Sequence, residues 1–400
     1  MLFRSKIMKN RKTAPFTGKL VHCDTIEFGN TSYTGNSPID IPNEDNDYST
    51  ERNFVKKYVT EDGIKPLAEE ETVIEQKIAK QILKNTASKV FSSESLSFPV
   101  LFSEARSNLE RTADMFSFLV DIYIPKMMET QSINEKLMYL TVGILAGSYI
   151  QLKTKKPWNP VLGETFVGNW ENGTMFYSEQ ISHHPPVGAY ELIGPNNSWK
   201  CHGKVKGQFE SSVNSVEAKQ EGLFSLIFED GSEYQWEFPT MLMSGSLYGD
   251  KTVKMKGTIV VSDIKNKLES VINFAPKKSK KTSVEKKSAN MIYGGIKSSQ
   301  SKKAEFTDII RGDICNEIKY NDKLVWNIDD NKPTRPSAKV DEEKILQSDS
   351  RYRLDRNLFI SNKSEEADRA KVLIEEFQRR EERLRKVEKP KKEVDRKSVV

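Results

Sequence analysis

Cysteine and histidine are scarce in this chain: three of the first and four of the second in 400 residues. Cys23, Cys201 and Cys315 stand far apart, with no CxxC pair and no even set, so a disulfide framework is excluded and a reducing cytoplasm is expected. HExxH is absent, and no third ligand stands at a usual metal spacing from the adjacent His183 and His184; the other histidines are His22 and His202. Long apolar runs are missing too. The longest, 137–152, is shorter than the roughly 20 residues a span needs. It is interrupted by Tyr139, Thr141, Gly143, Gly147, Ser148 and Tyr149, and reads as a buried helix. The first twelve residues lack the apolar core of a secretory signal. Charge of one sign is also lacking, since 62 basic and 57 acidic residues leave a net +5. Any basic function must therefore be local.

What is present divides the chain. Apolar residues make up only 36% and charged residues 30%, a polar balance that points to disordered segments. Residues 1–68 are rich in Asn, Asp, Ser, Thr, Pro and Gly without periodicity, and are expected to be disordered. Residues 69–89 carry a helical pattern with Val73, Ile74, Ile78, Ile82 and Leu83 on one side. A short apolar segment, 96–102, precedes a helical stretch over 104–120. From Thr165 the period becomes two, with turn signals at Asn172-Gly173, Asp230-Gly231, Asn266-Lys267 and Asn321-Asp322. Repeated hairpins predict a large antiparallel sheet over about 155–330, and curling into a barrel is one way to hide its edges. The lysines of 276–288 read as a solvated loop without the interleaved aromatics of a nucleic-acid surface. Residues 364–387 are strongly helical, with Ala370, Leu373, Ile374, Phe377 and Leu384 on one stripe, and a charged tail, 388–400, follows.

The densest chemistry lies at Glu179-Gln180-Ile181-Ser182-His183-His184-Pro185-Pro186, where two of the four histidines adjoin two prolines. Adjacent imidazoles on stiff backbone suit a phosphate or a metal. A two-residue turn at Asn172-Gly173 would set Glu171 opposite Thr174 and Phe166 opposite Glu179. Extrapolated outward, Lys155-Lys156-Pro157-Trp158-Asn159-Pro160 meets the histidines, bringing several donors to one anion. Lys371, Glu375 and Arg379 advance about 40° per step on a helix, so they share one polar stripe. Glu375 can hold both cations. Taken alone, that stripe reads more readily as a solvated charged face. Glu164 and Glu179 fall out of register as an acid–base pair, with no nucleophile evident, and read as structural.

These segments carry a resemblance. EQISHHPP at 179–186 resembles the oxysterol-binding protein signature EQVSHHPP, with Ile181 for valine. KKPWNPVLGETF at 155–166 is similar to the family's KPFNPxLGETF, with Trp158 at the usual Phe or Tyr. Phe98-Pro99 through Arg111, SDSRYRLD at 348–355 and KVLIEEFQRR at 371–380 resemble further family segments. The resemblance covers about 69–387. It implies an α+β lipid-binding domain, mainly β: a large incomplete antiparallel barrel around a hydrophobic tunnel, with an N-terminal helical lid (69–103) and C-terminal helices (340–387). It implies no enzyme, cofactor or metal. The cargo would be a sterol or a phospholipid such as phosphatidylserine, exchanged for phosphatidylinositol 4-phosphate. Carried over, Lys156, Asn159, His183, His184, Lys371, Glu375 and Arg379 would bind the headgroup, with Phe98, Pro99, Leu101 and Phe102 at the tunnel mouth and lid. A monomer is expected, cytoplasmic and touching anionic membranes transiently. The segment around Phe98 leans toward phosphatidylserine carriers and Ser348–Arg351 toward sterol carriers, so the cargo stays open. A lipid sensor that binds without net transfer is the alternative. The first 68 residues are too few for a pleckstrin-homology domain, so membrane targeting would come from the domain itself.

Overall fold

The computed structural model describes residues 26–28, 31–33, 41, 46–65, 72–80, 100, 103–152, 155–276, 288–301, 305–336 and 345–397. Phe98, Pro99, Leu101, Phe102 and lysines 277–287 lie outside them. A small hairpin, Ile26–Phe28 with Thr31–Tyr33, belongs to a separate unit ending at Pro38.

The rest is organised by one antiparallel sheet. Thr165–Asn169 pairs with Met175–His183, then Pro186–Ile193, then the long strand Trp199–Ser211. Along that last strand Trp199, Cys201 and Val205 are buried while Lys200, His202 and Lys204 are exposed, the alternation of a sheet with one wet face. Here the sheet forks. The outer half of Trp199–Ser211 pairs with Ser215–Glu221, which leads through Thr240–Ser244 and Thr252–Lys256 to Gly63–Ile64. The inner half pairs with Phe224–Phe228, from which the ladder runs on to Lys323–Asn327. Among the described residues Lys323–Asn327 does not pair back with Thr165–Asn169, so the barrel is incomplete, as the resemblance implies.

The open edge is satisfied by another segment. Thr165 N donates to the Ser348 carbonyl (2.9 Å), and Val167 N donates to Asp349 Oδ2 (3.2 Å). Arg351 Nη2 donates to the Val167 carbonyl (2.9 Å) while its Nε holds Asp349 Oδ1 at 2.7 Å. Asp349 and Arg351 are both buried. A strand edge that would otherwise invite another chain is thereby closed by one backbone bond and by the Asp349 and Arg351 side chains.

The helices are α1 (Ser49–Tyr58), α2 (72–80), α3 (Asn108–Phe118), α4 (Ile124–Glu129), α5 (Ile133–Ser148), α6 (Leu354–Ile360) and α7 (Ser364–Lys397). A π-helical turn, Leu119–Tyr123, joins α3 to α4. The apolar run at 137–152 is indeed a buried helix: α5 is buried along most of its length and lies against α3. Gly147 permits this approach, because a Cβ there would meet the Met115 carbonyl. No helix among the described residues is long and apolar enough to cross a membrane. The core joins both helices to the sheet, with Phe116 against Phe224 (5.2 Å) and Phe238 (5.6 Å) between ring centroids.

Three expectations need correction. Residues 46–65 are folded rather than disordered. Tyr48, Val55 and Ile64 are buried, and Tyr48 Oη donates to Asp114 (2.9 Å) beside the Arg106–Asp114 pair (3.2 Å). A polar composition hid a segment whose polar groups are partnered inside the fold. The helix expected over 104–120 begins at Asn108. Ser103–Ser107 is a strand, and the reciprocal Ser107–Glu110 capping box sets the start. The helix expected to end at 387 continues to Lys397.

Candidate functional site

The recess at one end of the barrel is assembled from three distant stretches. The first is Lys156–Trp158, a short strand lying parallel to Ser103–Ser107. Pro157 suits such an edge position, since it donates nothing to a ladder. Trp158 is 1% exposed, stacked edge-on to Phe359 (5.9 Å) and under the Arg353 guanidinium (5.4 Å). Its bulk, larger than the usual Phe or Tyr, is thus absorbed between α6 and Arg353. Glu164 ties this stretch down. Its carboxylate accepts from Ser107 Oγ, Val161 N (3.0 Å) and Arg353 Nη1 (3.0 Å). Burial pushes the Glu164 carboxyl up, against the pull of Arg353. The structural role read for Glu164 is what these contacts describe.

The second stretch is the histidine pair. The hairpin before it differs from the two-residue turn expected. Thr165 faces Glu179 and Phe166 faces Ser178, one step off the predicted register. The loop holds three residues, with Trp170 N bonded to the Thr174 carbonyl and Gly173 at φ 86°. Asn172 causes this: its Oδ1 accepts from Thr174 N (2.9 Å) and its Nδ2 donates to the Val120 carbonyl (3.1 Å). A second irregularity lies between Gln180 and Ser182, where the ladder to Pro186–Ile193 skips Ile181. Past that bulge His183 faces Pro186, and the His184–Pro185 bond is cis. The two imidazoles stand edge-to-face with centroids 4.7 Å apart.

The third stretch is one face of α7. Lys371 Nζ pairs with Glu375 Oε1 at 3.2 Å, as the four-residue spacing predicts. Farther along, Glu382 Oε2 lies 3.9 Å from His184 Nε2.

The seven headgroup residues expected from sequence line one recess: Lys156, Asn159, His183, His184, Lys371, Glu375 and Arg379. Sequence reasoning missed Arg353, Trp158, Gln378 and Glu382 as walls of the same recess. Arg353 was legible within the SDSRYRLD segment; it reaches the Asn159 carbonyl (2.7 Å) and fixes the loop bearing that asparagine. Gln378 lay one residue from Arg379, yet only the structure turns both inward.

The electrostatics favour an anion. Lys156, Arg353, Lys371 and Arg379 face Glu375 and Glu382 there. Loss of water and then the Lys371 charge lower the Lys156 pKa. Burial and then His184 lower that of His183. Such crowding of like charge is relieved by a ligand that brings negative charge. Trp158 Nε1 and Gln378 Nε2 are also buried here without a hydrogen-bond partner, two further donors at the walls.

A sequence model of the family described as oxysterol-binding protein matches residues 79–397. The chain belongs to the oxysterol-binding protein family. The family comprises lipid-binding and lipid-transfer proteins rather than enzymes. Relatives include oxysterol-binding protein 9 of Dictyostelium discoideum, 27% identical over 316 residues, which are 71% of this chain and 69% of that protein. Oxysterol-binding protein-related protein 8 of Homo sapiens is 26% identical over 309 residues, 72% of this chain but only 33% of that longer protein. Among solved structures, the Saccharomyces cerevisiae Osh3 domain in complex with PI(4)P aligns with a TM-score of 0.62 at 19% identity, covering 82% of this chain and 87% of that one. The Osh1 domain in complex with cholesterol aligns at 0.61 and 18%, covering 79% and 89%. Both likenesses establish the fold, and they agree with the incomplete barrel traced above.

Proposed function

We propose that this member of the oxysterol-binding protein family carries a sterol or a phospholipid such as phosphatidylserine in its apolar interior and exchanges it for phosphatidylinositol 4-phosphate between membranes. In this reading residues 69–387 form the working unit, and the recess takes the headgroup. One observation carries the proposal: the stretches 156–161, 183–184 and 371–382 turn three cations and two histidines onto one recess that holds two carboxylates, and the already paired Arg353 forms a further wall. A phosphomonoester brings about −1.5 to −2 charges and three acceptor oxygens, matching that excess. The Osh3 and Osh1 domains, with PI(4)P and cholesterol respectively, support both classes of ligand.

Lys156, Lys371 and Arg379 are assigned to the phosphate, with Asn159 and the histidines donating hydrogen bonds and Glu375 orienting Lys371. Two lipids that share one interior exclude each other, and this makes exchange possible without any bond being formed or broken. The protein meets anionic bilayers transiently, and its place is at their cytoplasmic surface. Transfer of labelled lipid between donor and acceptor vesicles tests the reading. Transfer driven by phosphatidylinositol 4-phosphate should collapse in His183→Ala/His184→Ala. Unchanged transfer in that variant would overturn the headgroup assignment. Tight lipid binding with no transfer would replace exchange with sensing.

A further inference from the structure

Helix α7 is double-faced, and the recess uses only one of its faces. Lys371, Glu375, Gln378, Arg379 and Glu382 line the recess. At about 100° per residue these centre on one direction, and Leu373, Phe377, Arg380 and Leu384 centre on nearly the opposite one. The sequence pattern places Ala370, Leu373, Ile374, Phe377 and Leu384 on one apolar stripe. The structure divides them. Ala370 is buried, whereas Leu373, Phe377 and Leu384 are 45%, 65% and 52% exposed.

The charges on the outer face are sorted as well. From residue 369 to 385 the exposed positions are Arg369, Val372, Leu373, Glu376, Phe377, Arg380, Arg383, Leu384 and Arg385. Four arginines and one glutamate therefore accompany four apolar side chains. Of the other carboxylates of this stretch, Glu375 and Glu382 are turned partly inward, and Glu381 lies 3.9 Å from Arg385. Exposed leucine and phenylalanine flanked by arginine form the pattern of a helix that lies in the headgroup layer of an anionic membrane. A partner helix fits less well. The apolar repeat spans about two heptads, with Arg380 in the seam, short of the three to four heptads that sustain a coiled coil.

We propose that the outward face of α7 docks the protein on anionic phospholipid bilayers, with Phe377, Leu373 and Leu384 entering the acyl boundary and Arg380 and Arg383 meeting lipid phosphates. This rests on the lipid-exchange reading for its purpose. A helix is about 10 Å across, so a docked α7 holds the recess one helix diameter from the headgroup plane. A lipid then crosses only the width of the helix that grips it.

The test uses full-length protein and vesicles of phosphatidylcholine with phosphatidylglycerol, free of sterol and phosphoinositide, so that docking is measured apart from cargo. Wild type should float with these vesicles, and added salt should weaken it. Phe377→Asp/Leu384→Asp should lose at least about tenfold in vesicle affinity, and Arg380→Gln/Arg383→Gln about tenfold, less at high salt. Both variants should keep wild-type affinity for soluble inositol 1,4-bisphosphate, whereas His183→Ala/His184→Ala should lose that affinity and still float. In Phe377→Trp, brominated lipid should quench the added indole beyond the wild-type signal. The proposal is overturned if Phe377→Asp/Leu384→Asp floats like wild type, if the added indole is not quenched, or if neutral vesicles bind equally well. It is also overturned if the wild type is a dimer that Phe377→Asp separates, which would assign the stripe to a second copy of the chain.

Discussion

The edge closed by Asp349 and Arg351 and the recess around His183 use the same chemical vocabulary of guanidinium, carboxylate and backbone carbonyl. They differ in balance. At the edge Arg351 has Asp349 and the Val167 carbonyl, and both side chains are buried. At the recess cations outnumber carboxylates and water still reaches part of them. Matched charges in a dry place hold a strand; excess charge in a damp place waits for a ligand. Arg353 belongs to both, since it is paired with Asp355 (2.7 Å) and Glu164 (3.0 Å) yet forms a wall of the recess.

The comparison breaks most visibly at the edge. Arg351→Ala leaves Asp349 buried without its cation and should cost about 3–5 kcal/mol, read as a lowered midpoint in urea unfolding. The recess should behave in the opposite manner. His183→Ala/His184→Ala removes two charge-assisted bonds worth about 1.5–3 kcal/mol each, so affinity for inositol 1,4-bisphosphate should fall about a hundredfold or more while the unfolding midpoint barely moves. A large stability loss with intact affinity would erase the distinction.

Acidity sharpens it further. Burial and His184 lower the His183 pKa in the free protein, so near neutrality it is uncharged. A dianion beside it raises that pKa, and binding takes up a proton. Headgroup affinity should therefore strengthen as pH falls from about 8 toward 6.5, by less than about tenfold per unit, until the phosphate itself protonates near pH 6. Titration calorimetry in two buffers of different ionisation enthalpy measures the uptake, which His183→Ala should reduce. The smallest effect belongs to the hairpin. Asn172→Ala removes the bonds that fix its three-residue loop and should cost about 1 kcal/mol without changing headgroup affinity.

The contrast also explains what the sequence disclosed. The recess was legible because two adjacent histidines before two prolines stand out in a chain with four histidines, and because the resemblance brought Lys156, Asn159, Lys371, Glu375 and Arg379 to the same site; a one-step slip in the hairpin did not separate them. Alternation and turn residues announced the antiparallel sheet, and the resemblance its incomplete closure. The role of Asp349 and Arg351 was not readable, because side chains replacing a strand leave no periodic trace. Nor was the folding of 46–65, whose buried polar groups find partners as distant as Asp114. The division of the α7 stripe was equally hidden, since an apolar pattern marks a face without saying what covers it.

The closing of the first strand by Asp349 and Arg351 has a consequence for how the chain is made. Synthesis delivers Thr165–Asn169 almost two hundred residues before its edge partner at 348–351 emerges. Until then the nascent barrel has a bare rim, and α7, one wall of the recess, has not been translated. The recess is therefore completed only after the whole sheet has been synthesised. A ribosome stalled before Ser348 holds a sheet with a bare edge, ready to aggregate, beside a recess that still lacks its α7 wall.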